Sequence, residues 1–359
     1  MRAVVLHGKE DARLEEVPVP TPGAGELRVR IRAALTCGTD LKVFRRGYHA
    51  RMIVPPAIFG HELAGEIDSL GAGTTGWAVG DRVVAANSAP CGECYFCEQD
   101  REELCEDLLF LNGAYAEYVV IPQRIARKNL LRIPERLSFE AAALTEPLAC
   151  AVHGVQETGV RSGETVVVCG AGPLGLFLVR CSVLAGARVL MVGRRPDRLQ
   201  AALRMGAEAA FDTQANEPFG SSPQHLNTRT PNTFFPLEWV RGHTGGHGAD
   251  RVIEATGSPE VWEQAITLVR KGGTVNLFGG CPAGTSIQID TGRLHYDALT
   301  LLGTFHHTPA TIREAVRLLA AGAIPTDIII QERVGLEQLP QRLPDLARGG
   351  GPLKVAVIP

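Results

Sequence analysis

The pattern of apolar and polar positions differs between two parts of the chain. In the first 120 residues, short β-branched or alternating runs lie at 3–6, 27–31 and 82–85, and turn sequences such as Pro20-Thr21-Pro22-Gly23 bound them. This spacing predicts a small β-barrel or sandwich rather than repeated strand–helix–strand units.

From Ser138 onward, helical and strand patterns alternate. Ser138 is an N-cap residue in front of the helix formers Phe139–Leu144. The predicted strands are 165–170, 187–192, 251–255 and 273–278, with two more near Ile328 and Val355, and the predicted helices are 174–185, about 259–271 and about 309–321. Apolar strands without alternation, separated by helices, are typical of a parallel sheet covered on both faces. The predicted fold class is therefore α/β.

Composition and charge narrow the choice of protein class. The 359 residues are enough for about two domains, and 45% hydrophobic with 21% charged residues is typical of a globular protein. Lys plus Arg number 36 against 39 Asp plus Glu, so no net positive charge attracts nucleic acid or an anionic membrane. The N-terminus has no signal-peptide pattern, and Arg180 and Arg188 interrupt the most apolar stretch. We expect a cytoplasmic protein with neither nucleic acid nor membrane as a partner.

Residues 216–236 interrupt the alternation of strands and helices. The segment holds four prolines and two charged residues, and it has neither a helical nor a strand period. An α/β unit needs only a short connection at this point. We expect an irregular insertion without a chemical role.

Four of the nine cysteines form a compact motif. Cys91, Cys94, Cys97 and Cys105 follow the spacing C-x2-C-x2-C-x7-C. Four thiolates can occupy every position around a tetrahedral Zn²⁺, which defines a structural site. Free cysteines or an iron–sulfur cluster are the alternatives, and the sequence carries no electron-transfer motif that favours the cluster.

A glycine fingerprint follows the first strand of the predicted parallel sheet. Gly170, Gly172 and Gly175 form G-x-G-x-x-G between a buried strand and a helix. Glycines there let the backbone approach a pyrophosphate, which the N–H groups of the helix bind. The cofactor contacts that we expect around it are Gly170, Gly172, Pro173, Leu174, Gly175, Gly193, Arg194, Arg195, Thr256 and Phe278.

The end of the second strand indicates which dinucleotide binds. NAD-specific proteins place an Asp or Glu about 20 residues past the fingerprint to hold the ribose 2′-hydroxyl. Here the chain has Gly193, Arg194 and Arg195. Guanidinium groups can bind a 2′-phosphate, so we expect NADP(H) to be preferred, with NAD(H) as the alternative. We expect Asp197 to cap the following helix.

A second set of motifs lies in order along almost the whole chain. Cys37-Gly-Thr-Asp40 and Gly60-His-Glu62 come first, Gly80-Asp-Arg-Val83 and the four-cysteine motif follow, and Glu146-Pro-Leu-Ala149 precedes the fingerprint. In this order they resemble the zinc-dependent medium-chain dehydrogenases. The Glu-Pro-Leu-Ala segment is similar to the polyol (sorbitol-type) and threonine dehydrogenase branch.

The resemblance implies an architecture. It implies a GroES-like β-barrel catalytic domain at 1–147 and 297–359, with a doubly wound Rossmann domain inserted at 148–296. It also implies a homotetramer or homodimer, and two Zn²⁺ ions per chain.

The resemblance also implies ligands and a reaction. Cys37, His61 and Glu62 would bind a catalytic zinc, and Glu146 would be a fourth or exchangeable ligand. Zinc at an alcohol oxygen would stabilise its negative charge while hydride passes to the nicotinamide. Thr39 matches the family's proton-relay hydroxyl. Lys42 stands where the family often has His, so we expect the proton to leave through water or through a lysine with a lowered pKa.

The sequence says less about the substrate. Lys42, Arg45, Arg46, His49 and Arg51 form a basic stretch, which is either a solvated loop or a surface that attracts anionic sugars. His306 and His307 follow Gly303-Thr-Phe305, where the resemblance implies residues near the nicotinamide and substrate.

These motifs together predict an enzyme that transfers hydride between NADP(H) and a small polyol, sugar or other secondary alcohol. An NAD-dependent threonine-like or simple alcohol dehydrogenase is the alternative. A non-catalytic NADP-binding protein is disfavoured because all four zinc-ligand residues are present. A zinc-free quinone reductase is disfavoured by both cysteine motifs.

Overall fold

The computed structural model describes residues 1–49, 52–220 and 235–359. The chain forms two compact units. Unit 1 comprises Met1–Ala149 and His307–Pro359, and unit 2 comprises Cys150–His306. In the described part of the chain, no helix is both long and apolar enough to cross a membrane.

The elements follow one another in chain order. The strands are β1 (Arg2–Gly8), β2 (Asp11–Glu16), β3 (Leu27–Leu35), β4 (Ala57–Ile58), β5 (Glu62–Leu70), β6 (Arg82–Ala85), β7 (Ser88–Ala89), β8 (Leu109–Phe110), β9 (Tyr118–Ile121), β10 (Leu130–Arg132), β11 (Thr165–Cys169), β12 (Arg188–Gly193), β13 (Ala209–Asp212), β14 (Glu217–Phe219), β15 (Ala249–Glu254), β16 (Val269–Leu277), β17 (Thr300–Leu302), β18 (Ile330–Gly335) and β19 (Lys354–Ile358). The helices are α1 (Gly38–Arg46), α2 (Tyr95–Glu98), α3 (Gln123–Lys128), α4 (Phe139–Ala143), α5 (Thr145–Thr158), α6 (Pro173–Leu184), α7 (Pro196–Arg204), α8 (Phe235–His243), α9 (Pro259–Leu268), α10 (Thr291–Tyr296), α11 (Pro309–Ala320), α12 (Thr326–Ile329) and α13 (Leu339–Arg348).

Unit 1 is organised around a mainly antiparallel sheet. Its strands lie in the order β10-β6-β5-β3-β19-β18, and β9 also pairs with β3. Buried Leu27, Val29 and Ile31 alternate along β3 with more exposed arginines, so one face of the strand packs on the core. The strand continues past the predicted run to Leu35, which pairs with Glu62 on β5 and with Ala356 on β19. This register gathers the ends of three strands around Cys37.

Unit 2 is a doubly wound sheet. The parallel strands lie in the order β13-β12-β11-β15-β16-β17, and β14 adds an antiparallel edge. The sheet core includes Val167, Leu190, Val252 and Val275, all fully buried. This strand order is that of dinucleotide-binding folds, and it confirms the predicted α/β class.

The sequence-based assignment was wrong at residues 217–219. Residues 217–219, expected to be irregular, form β14, because the exposed edge of β13 offers its backbone hydrogen bonds to them. Residues 221–234 of that segment lie outside the described residues, and residues 235 and 236 begin α8. The strand expected near Ile328 is β18, which begins two residues later, after the short helix α12.

Candidate zinc sites and dinucleotide-binding edge

Cys37 occupies the N-cap of α1. Its backbone N–H donates to Asp40 Oδ2 at 3.1 Å, and its Sγ accepts from the Thr39 N–H at 3.5 Å. This reciprocal pair is a capping box with sulfur in the place of the usual hydroxyl. The helix start therefore fixes both the Cys37 thiol and the Asp40 carboxylate.

His61 is oriented by the same carboxylate. His61 Nδ1 donates to Asp40 Oδ1 at 2.9 Å, and both residues are buried. Burial opposes the charge on Asp40, but His61, the Tyr115 hydroxyl and the Cys37 N–H outweigh it and lower the pKa of Asp40. An ionised Asp40 fixes the tautomer of His61 and leaves Nε2 available to a metal.

Glu62 lies beside His61 and is paired with a buried lysine. The Lys354 ammonium lies 2.7 and 2.6 Å from the two Glu62 oxygens and donates to the Thr36 carbonyl at 2.9 Å. Lys354 is 2% exposed and Glu62 is 0% exposed. Burial opposes the Lys354 charge, but Glu62 outweighs it and raises the pKa of Lys354, so the ammonium stays charged.

Three of the four predicted catalytic-zinc ligands come together. One ligand atom from each of Cys37, His61 and Glu62 lies within 4.8 Å of the other two. A thiolate, an imidazole and a carboxylate are the donors that zinc binds, so these residues fit the metal. Glu146, in the first turn of α5, is buried and lies outside this group. Burial raises the pKa of Glu62 to about 7, and the charge of Glu146 adds to the rise, against the opposing effect of Lys354.

The four-cysteine motif forms a cluster in unit 1. The sulfur pairs Cys91–Cys97, Cys94–Cys97, Cys94–Cys105 and Cys91–Cys105 lie 3.9, 3.6, 3.9 and 3.5 Å apart. Four sulfurs around one zinc, each about 2.3 Å from it, would stand about 3.8 Å apart, so the cluster fits the ion.

Backbone N–H groups reinforce the cluster. The N–H of Cys91 donates to Cys105 Sγ at 3.2 Å, and the N–H of Gly92 donates to Cys97 Sγ at 3.4 Å. The backbone N–H of Cys97 is the main cause that lowers the pKa of Cys94 to about 6. Thiolate is the form that a metal binds.

The glycine fingerprint joins β11 to α6. Gly170 has φ of 111°, and a Cβ on Gly175 would lie 1.8 Å from the Gly170 carbonyl oxygen, so both positions need glycine. Gly172 caps α6, and a Cβ there would meet no atom within 4 Å. The open space in front of the α6 N–H groups fits a pyrophosphate.

Three arginines follow β12. Arg195 adopts φ of 76° and is the N-cap of α7, so the expected capping role of Asp197 was wrong. Asp197 lies in the first turn instead, where it pairs with Arg195 at 3.1 Å. Arg198 Nε is buried and has no hydrogen-bond partner among the described residues. Burial and repulsion from Arg195 and Arg194 lower the pKa of Arg198.

Thr256 and Phe278 help to shape the loops of unit 2. The Thr256 N–H donates to Glu254 Oε1 at 2.6 Å, and its methyl group lies 2.7 Å from where a Gly170 Cβ would stand. The Phe278 ring packs in the same way against Gly154, 2.8 Å from its Cβ position.

The residues suggested for substrate contact differ in their exposure and in their hydrogen bonding. Lys42, Arg45 and Arg46 are exposed on α1, whereas Arg51 lies outside the described residues. His49 Nδ1 accepts from the Met52 N–H at 3.1 Å.

The two histidines after Phe305 differ in their surroundings. His307 is buried, with Nε2 3.0 Å from Asn87 Oδ1 in unit 1. The His306 carbonyl accepts from His153 Nδ1 at 3.0 Å in unit 2.

Sequence reasoning missed four residues of these sites. Asp40 carried a signal, since it stands three residues after Cys37 at capping-box spacing. Lys354 is a charge at the head of an apolar strand, whereas Tyr115 lies three residues before β9 and carries no such local signal. Arg198 stands one helical turn after Arg194.

Comparisons with known proteins define the class. Residues 23–135 match the alcohol dehydrogenase GroES-like domain, and residues 173–321 match the zinc-binding dehydrogenase domain. Sorbitol dehydrogenase of Bacillus subtilis (strain 168) is 30% identical over 345 residues, covering 94% of this chain and 91% of the relative. L-threonine 3-dehydrogenase of Pyrococcus horikoshii is 33% identical over 329 residues, covering 90% and 88%.

Solved structures agree with these relatives. A provisionally assigned zinc-binding dehydrogenase from Sinorhizobium meliloti 1021, bound to NADP, superposes with a TM-score of 0.85 at 32% identity, covering 100% of this chain and 99% of the other. The fold and sequence therefore define a dehydrogenase of the alcohol dehydrogenase class. The chain belongs to the zinc-dependent medium-chain dehydrogenase family, in its polyol and threonine dehydrogenase branch, which confirms the predicted family and enzyme class.

Proposed function

We propose that this enzyme transfers a hydride between NADP(H) and a polyol, sugar or other secondary alcohol. The observation that carries the proposal is the group of half-buried Cys37 with buried His61 and Glu62, whose ligand atoms lie within 4.8 Å of one another. The relatives that support this substrate class include the sorbitol dehydrogenase and an erythritol/L-threitol dehydrogenase of Mycolicibacterium smegmatis, 31% identical over 381 residues.

Two zinc ions per chain fit the donors. Cys37, His61 and Glu62 would hold the catalytic ion, with Glu146 as a fourth or exchangeable ligand. Cys91, Cys94, Cys97 and Cys105 would hold the structural ion. A bound catalytic zinc supplies Lewis acidity that favours loss of the alcohol proton.

The remaining steps belong to protein side chains. Asp40 holds His61 in one orientation, and Lys354 fixes the Glu62 carboxylate beside it. The Thr39 hydroxyl would accept the alcohol proton and pass it on. Lys42 is exposed on α1, which supports a relay in which water, rather than Lys42, takes the proton onward from Thr39.

The positive charge that follows β12 supports a preference for NADP(H) over NAD(H). Arg194, Arg195 and Arg198 stand together after β12, and Asp197 is already paired with Arg195. A 2′-phosphate would relieve the repulsion among the guanidinium groups and supply acceptors for them. The NADP bound in the Sinorhizobium meliloti structure supports this preference.

Four further proposals concern the domain boundaries, the oligomeric state, the cellular location and the charge of the substrate. The domains would be 1–147 with 297–359, and 148–296. The enzyme would be a homodimer or homotetramer and would work in the cytoplasm. The exposed cations of α1 would favour anionic sugars among its substrates.

An NAD-dependent threonine-like dehydrogenase is the second candidate. It is supported by L-threonine 3-dehydrogenases from Pyrococcus horikoshii and Pyrococcus abyssi, which are 33% and 34% identical over 329 residues.

A substrate screen with both cofactors tests the proposal. Purified enzyme is assayed with polyols, sugar acids, sugar phosphates and L-threonine, each with NADP and NAD at two salt concentrations. We expect the highest kcat/KM for a polyol or sugar with NADP, about two zinc ions per chain, and no turnover by Cys37→Ser.

Two outcomes would overturn separate parts of the proposal. A preference for L-threonine with NAD would establish the second candidate instead. Neutral polyols favoured over sugar phosphates and sugar acids at both salt concentrations would remove only the proposed attraction of anionic sugars.

A further inference from the structure

Tyr115 is a fully buried residue whose hydroxyl reaches the carboxylate behind His61. Tyr115 Oη lies 2.5 Å from Asp40 Oδ2 and 3.2 Å from the Leu35 carbonyl. A tyrosine hydroxyl has a single proton, and the shorter contact assigns it to Asp40. Asp40 therefore accepts from Tyr115 and the Cys37 N–H through one oxygen and from His61 through the other.

The ring of Tyr115 also packs against the backbone at Gly60, the residue before His61. A Cβ on Gly60 would lie 2.8 Å from three carbons of the ring, and Gly60 has φ of 86°. The Tyr115 N–H donates to the Phe59 carbonyl at 2.8 Å, and the two rings meet edge to face at 5.7 Å. One side chain thus contacts both supports of His61, its backbone and its hydrogen-bonded carboxylate.

We propose that Tyr115 is a positioning residue for the metal ligand His61. The burial of Asp40, 1% exposed, leaves no solvent to replace a lost hydroxyl donor. Without that donor, only the Cys37 N–H holds Asp40 Oδ2, so the carboxylate can turn more easily away from the geometry that holds the His61 ring. The inference rests on the proposed catalytic zinc at Cys37 and His61.

Zinc affinity of the purified protein tests the role of the hydroxyl. Outer groups that orient metal-bound histidines typically change metal affinity by 10- to 100-fold. We expect Tyr115→Phe to raise the zinc dissociation constant of this site by about tenfold in a chelator competition. We also expect it to shift the visible spectrum of the Co²⁺-substituted protein, which reports ligand geometry. The Cys37→Ser variant identifies which of the bound ions belongs to this site.

Tyr118→Phe is the matched control. It removes the same hydroxyl three residues away, from a ring that lies against Arg28 with the guanidinium carbon 5.4 Å from its centre. We expect zinc affinity and the Co²⁺ spectrum to stay as in the unsubstituted protein. If Tyr115→Phe behaves like Tyr118→Phe in both measurements, even with a lowered melting temperature, the inference is wrong.

A second variant covers a failure of Tyr115→Phe to fold. Site-specific incorporation of 3-fluorotyrosine at position 115 keeps the ring and strengthens the hydroxyl as a donor, so the Co²⁺ spectrum must shift; an unchanged spectrum overturns the inference. If the unsubstituted protein binds zinc only in the four-cysteine cluster, the proposed catalytic zinc fails. If it binds both ions and Tyr115→Phe leaves the Cys37 site unaltered, only the role of Tyr115 fails.

Discussion

At the scale of single residues, Lys354 and Glu62 form a close ion pair inside unit 1. Both side chains are buried, so each charge depends on the other for its stabilisation. Removing one partner of a buried ion pair leaves an uncompensated charge and costs about 3–5 kcal/mol. Lys354 therefore supports both the fold of unit 1 and the position of Glu62.

We predict that Lys354→Met lowers the free energy of unfolding by about 3 kcal/mol or more, measured by denaturant unfolding. Arg333→Met is a suitable control, because Arg333 pairs with Glu140 on the surface and such pairs contribute about 0–1 kcal/mol. Equal losses in the two variants would contradict the prediction.

At the scale of elements, the four-cysteine cluster is held by very little regular structure. It is bordered by a helix of four residues, α2, and a 3-10 turn at Glu102–Leu104, and β7 and β8 have two residues each. Elements this short do not stabilise themselves in water. The bound ion would therefore supply most of the order between residues 91 and 105.

We predict that Cys94→Ser, or removal of zinc by a chelator, makes residues 91–105 exchange their amide hydrogens rapidly, as hydrogen-exchange mass spectrometry can measure. Cys281→Ser, which changes a thiol outside the cluster, is the control and is expected to leave this exchange as it was. Continued protection of the segment in metal-free protein would show that the fold alone orders it.

Local sequence patterns predict some of these elements, but they do not predict contacts between residues far apart in the chain. Strand cores such as 27–31 and the fingerprint turn were predictable, because apolar patterning and glycine geometry are local signals. The Asp40–His61 and Glu62–Lys354 pairs join residues 21 and 292 positions apart, and no local pattern encodes such separations. Asp197 was misplaced because Arg195, in a backbone conformation uncommon for arginine, took the cap instead.

At the scale of the whole molecule, the described residues include a separate hydrophobic core in each unit. One core lies in unit 1 and includes Leu27, Phe44 and Val357, and the other lies in unit 2 and includes Val167 and Val252. A ligand that binds only the native form of one unit stabilises that unit by mass action. Zinc and the dinucleotide should therefore protect different parts of the chain.

We predict that NADP at about 100 times its dissociation constant stabilises unit 2 by about 2.7 kcal/mol. Hydrogen exchange should slow around β11 and β12, while residues 91–105 respond to zinc alone. NAD at the same concentration serves as the control and should protect less. Protection by NADP confined to unit 1 would contradict this division.

The position of β19 has a consequence for biosynthesis. This strand lies between β3 and β18, and it carries the lysine that pairs with Glu62. A ribosome releases Cys37, His61 and Glu62 early, then all of unit 2, and only much later Lys354. The Glu62 carboxylate therefore gains its buried counter-charge only once strand β19 has been synthesised. A chain whose translation stops before Lys354 lacks strand β19 and the buried counter-charge of Glu62.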